Sequence, residues 1–118
     1  MKIGDFATRP ACNDGLKMPL VNPVTGDATE EWILIRGVDS DVFRAKESEI
    51  KRRLVSMDDV SSVESELEAE LISSLIIDWS LDDECNDENK LLLCRDAPLI
   101  AQDINRKAAN RRAFLEKK

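Results

Sequence analysis

The sequence predicts a mainly α-helical domain of the α+β kind: about four helical segments with an N-terminal β-hairpin packed against them. Three observations carry that expectation. Apolar residues recur at helical spacing through much of residues 39–116. Ahead of them, two β-prone runs flank a stretch of turn formers. The length, 118 residues, suits one domain and falls short of two. The expected division of this single domain, 1–118, is an irregular arm over 1–16, a β-hairpin over 17–37 and a helical core over 39–116.

The arm lacks periodic apolar residues and holds Gly4, Pro10, Asn13, Asp14 and Gly15. The hairpin is built from Met18-Pro19-Leu20-Val21 and Glu31-Trp32-Ile33-Leu34-Ile35-Arg36, with Pro23, Gly26 and Asp27 between them. Pro19 has no N–H to give to a ladder, which places the first strand at an edge. A hairpin alone is marginal in water, so it must pack on something larger.

Gly37 ends the second strand, and Asp39-Ser40-Asp41 supplies the short oxygen-bearing side chains of a helix N-cap. The helix that follows should reach about Ser56, with Phe43, Ile50, Leu54 and Met57 in one stripe. Glu47 with Lys51 and Glu49 with Arg53 are i,i+4 pairs in the favourable order. A second helix restarts at Asp58-Asp59-Val60-Ser61, where Ser61 and Glu64 have capping-box spacing. Val60, Val63, Leu67 and Leu71 share its inner face, while Ile72, Leu75, Ile76, Ile77 and Trp79 would surround the axis as a helix end buried on several sides. Ser80–Asn89 is a polar break, and a short helical turn follows through Lys90-Leu91-Leu92-Leu93. Asp96-Ala97-Pro98 opens the last helix, whose stripe is Ile100, Ala101, Ile104, Ala108 and Leu115, with Phe114 at its margin.

Composition narrows the function. There are 24 acidic and 17 basic residues, a formal charge of −7, which argues against nucleic acid as a partner. The chain has no histidine, so Ser-His-Asp and Cys-His catalysis are closed to it and no imidazole completes a metal site. No cofactor, metal or catalytic residue is expected. Cys12, Cys85 and Cys94 form no even disulfide framework and read as reduced thiols of a cytosol. The start, MKIGDFATRP, is no signal peptide, and Leu71–Leu81 is interrupted by Ser73, Ser74, Asp78 and Ser80, so no membrane partner is expected. The acidic run Asp82–Glu88 has alternate oxygen ligands but neither the turn glycine nor the twelfth-position acid of a calcium loop. It reads as a solvated loop.

Charge also separates along the chain. Residues 58–90 hold twelve acids against the single base Lys90, and residues 95–118 hold seven bases against Asp96, Asp103 and Glu116. Internal pairing and solvation are the plain reading; head-to-tail self-association, in which acidic and basic faces of successive copies meet, is the functional one. The candidates for contact with a partner or another copy are Trp32, Ile33 and Ile35 on the hairpin, Trp79, and Arg111, Arg112 and Phe114 near the C-terminus. Trp79 reads first as core; for Trp32 the core and interface readings balance. Physical reading alone stops at an acidic, mainly helical, non-enzymatic interaction protein.

Three stretches together resemble the tail assembly chaperones of long-tailed siphophages. The first is Trp32-Ile33-Leu34-Ile35-Arg36-Gly37-Val38-Asp39-Ser40-Asp41-Val42-Phe43-Arg44, similar to that family's strand, Gly turn, Asp-Ser cap and aromatic-Arg helix opening. The second is Leu71–Trp79, an apolar helix closing on an Asp-Trp pair before an acidic loop. The third is Asp87–Leu93 followed by the terminal helix that ends Arg112-Ala113-Phe114-Leu115. The resemblance covers roughly residues 30–116. It implies a protein that acts in the host cytoplasm during virion assembly, binds the tape-measure protein, recruits tail-tube protein and is absent from the finished tail. Copies would associate head to tail in an arc or spiral. The rival from another class is a small acidic regulator, or nucleic-acid mimic, that caps a basic host protein.

Overall fold

The structure, a computed structural model, describes residues 1–58 and 63–116. Its elements are α1 (Arg9–Asp14), β1 (Leu16–Val21), β2 (Ala28–Ile35), α2 (Asp41–Val55), α3 (Glu64–Ser73), β3 (Ile76–Trp79), α4 (Asp87–Asp96), α5 (Pro98–Ala109) and α6 (Arg111–Glu116), after a 3-10 turn at Ile3–Asp5. The mainly helical α+β class is the one expected. The arm differs from the expectation, since α1 occupies part of it and buries Cys12. Gly15 ends α1 at φ +92°, and a Cβ there would lie 2.7 Å from Ile77 Cδ1, so both the turn and the close packing need glycine.

The sheet has the order β1-β2-β3, antiparallel throughout. Pro19 therefore sits on an edge strand, opposite Trp32. Met18 and Leu20 point inward from β1 and Ile33 and Ile35 from β2, the alternation of a sheet with one covered face. The third strand corrects the reading of Leu75, Ile76, Ile77 and Trp79 as part of a helix end, while Ile72 is buried in the last turn of α3 as expected. α3 stops at Ser73, where the hydroxyls of Ser73 and Ser74 donate to the carbonyls of Glu70 (2.7 Å) and Leu71 (2.6 Å). Such back-bonding competes with the helix ladder. The β-branched pair Ile76-Ile77 and Trp79 then prefer the pleat, and β3 covers the edge that β2 would otherwise leave open. Ile33 faces Trp79 and Ile35 faces Ile76 across that pair.

α2 begins where the cap residues place it: Ser40 is fully buried and its Oγ accepts from Phe43 N–H at 3.4 Å. Phe43 and Ile50 carry its buried face. Both predicted i,i+4 pairs form, Lys51–Glu47 at 4.0 Å and Arg53–Glu49 at 3.7 Å. The predicted Ser61–Glu64 box and the place of Val60 on the α3 stripe lie outside the described residues. α4 is a full ten-residue helix rather than a short turn, because Asn86 caps it by accepting from Asn89 N–H at 2.8 Å. Pro98 opens α5 as expected. The last helix is broken at Asn110, and the break turns the stripe: Phe114 is fully buried while Leu115 is 43% exposed, the reverse of the continuous-helix reading. The core is thus the inner sheet face closed over by helices, with Leu75, Ile76, Ile104, Ala108 and Phe114 among its fully buried members.

Candidate protein-interaction site

The candidate contact residues divide by burial. Ile33, Ile35 and Phe114 are fully buried and Trp79 nearly so, which makes these four core residues in the folded chain. The Trp79 ring also has its polar edge satisfied, as Nε1 donates to Asp83 O at 2.8 Å. Trp32, Arg111 and Arg112 keep exposed surface. Trp32 stands on the central strand rather than an edge one, half-buried, with Lys17 Nζ 4.3 Å from its ring centre. Its backbone N–H donates to Ser80 Oγ at 2.8 Å.

Arg111 is committed within the chain. Its guanidinium donates two bonds to Asp39, at 2.6 and 2.9 Å, and Thr8 Oγ1 donates to the same carboxylate. The bond from Arg111 leads the causes that hold the Asp39 carboxyl below its usual range. This cluster ties the N-terminal segment to α6. Beside it, Arg9 and Asn13 both donate to Asp41 in the first turn of α2. Arg112 is 83% exposed and donates to Glu116, one turn on, at 2.8 Å. Of the three accessible candidates, it has the most open surface.

The charge separation seen along the sequence is partly cancelled in space. Glu70 of α3 accepts a bidentate pair from Arg53 of α2 (2.7 and 3.1 Å) and a longer bond from Lys46 (3.4 Å), and Arg53 is the first cause of its lowered pKa. Glu66 meets Arg95 of α4 at 3.6 Å. Glu64, Glu68 and the loop acids Asp82, Asp83 and Glu84 are exposed and form no ion pair among the described residues. An acidic surface therefore remains over the start of α3 and the β3–α4 loop. Among the described residues, no group of three or more acids, cysteines or histidines is placed to hold a metal ion.

The surface also has concave regions. A cleft of about 450 Å³ between α2, α3 and α4 is lined by Arg36, Lys46, Lys90, Glu70 and Asp87. Arg36 spends its Nη1 on the carbonyls of Ser74 (3.0 Å) and Ile76 (2.9 Å), and burial lowers its pKa. At the other side, the α4–α5 corner and the end of β1 form two apolar hollows of about 280 and 250 Å³ that share Asp96 and Ala97. Val21, Leu92 and Leu99 are 43%, 48% and 53% exposed there or beside it. Sequence reasoning missed these three, although one signal was available for Leu92. Three successive leucines on a helix spread over roughly 200° of its circumference, too wide an arc for all of them to face one core.

A family model described as phage tail assembly chaperone matches residues 28–117. Comparison with curated proteins gives no match, and comparison with solved structures gives none either.

Proposed function

The chain belongs to the phage tail assembly chaperone family, and we propose that it binds the tape-measure protein and brings tail-tube subunits to it while the tail is built. The observation that carries this reading is the family match over residues 28–117, which spans β2, β3 and every helix after α1. The surface supports it. Exposed Val21, Leu92 and Leu99 give apolar area that can shield apolar parts of a partner, and the acids around them keep the chain from simply precipitating with it. Among the described residues no helix is long and apolar enough to cross a membrane, in keeping with work in the host cytoplasm. The reading assigns the chain no catalytic step and no place in the finished tail.

A chaperone that covers a long partner and must later yield to tube subunits works best through many weak contacts. Self-association head to tail would supply the repetition, since a heterologous contact need not close on itself. Exposed Arg44 and Arg52, with the acids of α3 and the β3–α4 loop that have no ion pair among the described residues, are charges open to such contacts, which should weaken as salt is raised. The test is co-expression with the tape-measure protein of the same phage. Tape-measure protein that moves from the pellet to the supernatant, and co-purifies with this chain, is the expected result. Tape-measure protein equally insoluble with and without it would overturn the proposal.

A further inference from the structure

Two cations on the cleft between α2, α3 and α4 have no carboxylate of their own. Arg36 follows directly on β2 and is partly buried. Its backbone N–H donates to Leu75 O at 2.6 Å, and its Nη1 donates to Ser74 O and Ile76 O. The side chain is thus pinned to the turn between α3 and β3, where carbonyl oxygens offset part of its charge. Among the described residues no acid stands within ion-pair distance of it, and its Nε and Nη2 have no hydrogen-bond partner. Lys90 of α4 lines the same cleft and also has no ion pair among the described residues. A guanidinium withdrawn from water without a counter-charge is costly, and a carboxylate reaching its open edge would relieve that cost.

The charges around the cleft separate into a balanced set and an open one. Lys46 meets Glu49 at 3.1 Å and Glu70 at 3.4 Å, and Arg53 meets the same two acids at 3.7 and 2.7 Å. Two bases and two acids therefore cancel. What remains on the wall is Arg36 and Lys90 against Asp87. Asp87 stands in the first turn of α4, where the helix dipole favours a negative side chain, and it has no ion pair among the described residues. One positive charge is left over, in a chain whose formal charge is −7. The rest of the wall selects the kind of anion. Glu70 and Asp87 repel a phosphate dianion more than a single carboxylate. The hydroxyls of Ser73 and Ser74 donate to carbonyls of α3, so they are not donors to a ligand. Val42, 47% exposed, and Leu91 add an apolar margin. A chain-terminal carboxylate is typically held by a cradle of backbone N–H groups, whereas acidic side chains are met by arginine, as the open edge of Arg36 allows.

We propose that this cleft binds an Asp or Glu side chain that stands next to an apolar residue on a segment of a partner protein. The carboxylate meets the open edge of Arg36 and the Lys90 ammonium, and the apolar neighbour lies against Val42 and Leu91. Because Arg36 is already fixed by three hydrogen bonds to the α3–β3 turn, little of its freedom is lost when the ligand arrives. The site stands on these residues alone and does not depend on which tail protein the chain serves.

The test is an NMR titration of the full chain with a short peptide, acetylated and amidated at its ends, in which a Glu lies between Leu residues. Amide shifts should gather at Val42, Ser73, Ser74, Lys90 and Leu91 and should saturate. Gln in place of the peptide's Glu should weaken binding about tenfold. Lys90→Gln and Arg36→Gln in the protein should each do the same. Lys90→Gln breaks no ion pair among the described residues, so it decides the matter even where Arg36→Gln loosens the α3–β3 turn. Shifts that are absent, spread over the surface or equal for the Gln peptide would overturn the site, and so would unchanged affinity in Lys90→Gln. Tighter binding at the same residues by inorganic phosphate, or by a Leu peptide whose only carboxylate is its free C-terminus, would overturn the choice of ligand. Tape-measure protein can still co-purify after any of these failures, so the two proposals fall separately.

Discussion

Gly37 is the point at which the N-terminal segment is locked to the rest of the fold, and Gly37→Ala tests that lock. A Cβ on residue 37 would overlap Cys12 Sγ and come within 2.8 Å of Cys12 Cβ. Carbon atoms in favourable contact stand about 3.5–4.0 Å apart, so α1 must move or the turn must open. Moving is resisted, because Gly37 N–H donates to Cys12 O at 3.1 Å and Arg9 and Asn13 hold α1 to Asp41. Overpacking of this kind costs about 1–3 kcal/mol. The loss of unfolded-chain freedom on replacing glycine returns about 0.4–1 kcal/mol, because φ at residue 37 is not positive. The net expected loss is about 1–2 kcal/mol. It is read as a lower urea midpoint at unchanged slope. Cys12→Ala in the same background removes Sγ but keeps Cβ, so the pair should couple favourably by about 0.5–1 kcal/mol. Gly37→Ala with no loss of stability, or strict additivity with Cys12→Ala, would refute the close packing of α1 against this turn.

Further outcomes follow from other sites. Phe114→Ala should cost about 3–5 kcal/mol in urea unfolding, whereas Leu115→Ser should stay within about 0.5 kcal/mol; equal effects would restore a continuous last helix. Asp39 and Glu70 have carboxyls held below their ordinary values by Arg111 and Arg53, so their contribution to stability is complete above the unfolded-state pKa, near pH 4, and is lost as pH falls through the lowered folded-state values. Arg111→Gln and Arg53→Gln should each flatten the acid limb of the stability–pH curve, and an unchanged limb would count against these pairs. Among the thiols, Cys94 is pushed up to about 11 by burial and Cys12 is fully buried, while Cys85 is partly open. A thiol-reactive disulfide reagent at pH 8 should label one cysteine quickly and the other two only on unfolding; three equal rates would contradict the burial pattern.

Much of the architecture was readable from local chemistry. Pro19 identified the edge strand because a missing N–H is tolerated only there, and Asp39-Ser40-Asp41 located the start of α2 because a short hydroxyl at the N-cap meets an orphan N–H. The failures share a physical cause, which is that tertiary pairing decided between local options. Leu75, Ile76, Ile77 and Trp79 form a short apolar run, a pattern that fits a buried helix or a buried strand equally. The open edge of β2 settled it in favour of a strand. The last helix breaks at Asn110, whose side chain accepts from Ala113 N–H at 3.3 Å, and no proline or glycine announced that stop. Because the stripe was projected through the break, Phe114 was placed at a margin and Leu115 inside. The candidate site was legible to a smaller degree. Ile33 and Ile35 on the hairpin were candidates for partner contact, but they are fully buried in the core, where Trp79, read first as core, also lies. Part of the accessible apolar surface comes instead from Val21, Leu92 and Leu99, which line or border hollows that the packing of α4 on α5 and of α5 on β1 forms.

Direct protection of the tape-measure protein is the decisive quantity. Light scattering after its dilution from denaturant, followed at rising ratios of this chain, should fall toward baseline once several copies are present per tape-measure chain, and added tube protein should then displace the chaperone. Scattering that stays the same at every ratio would contradict the account.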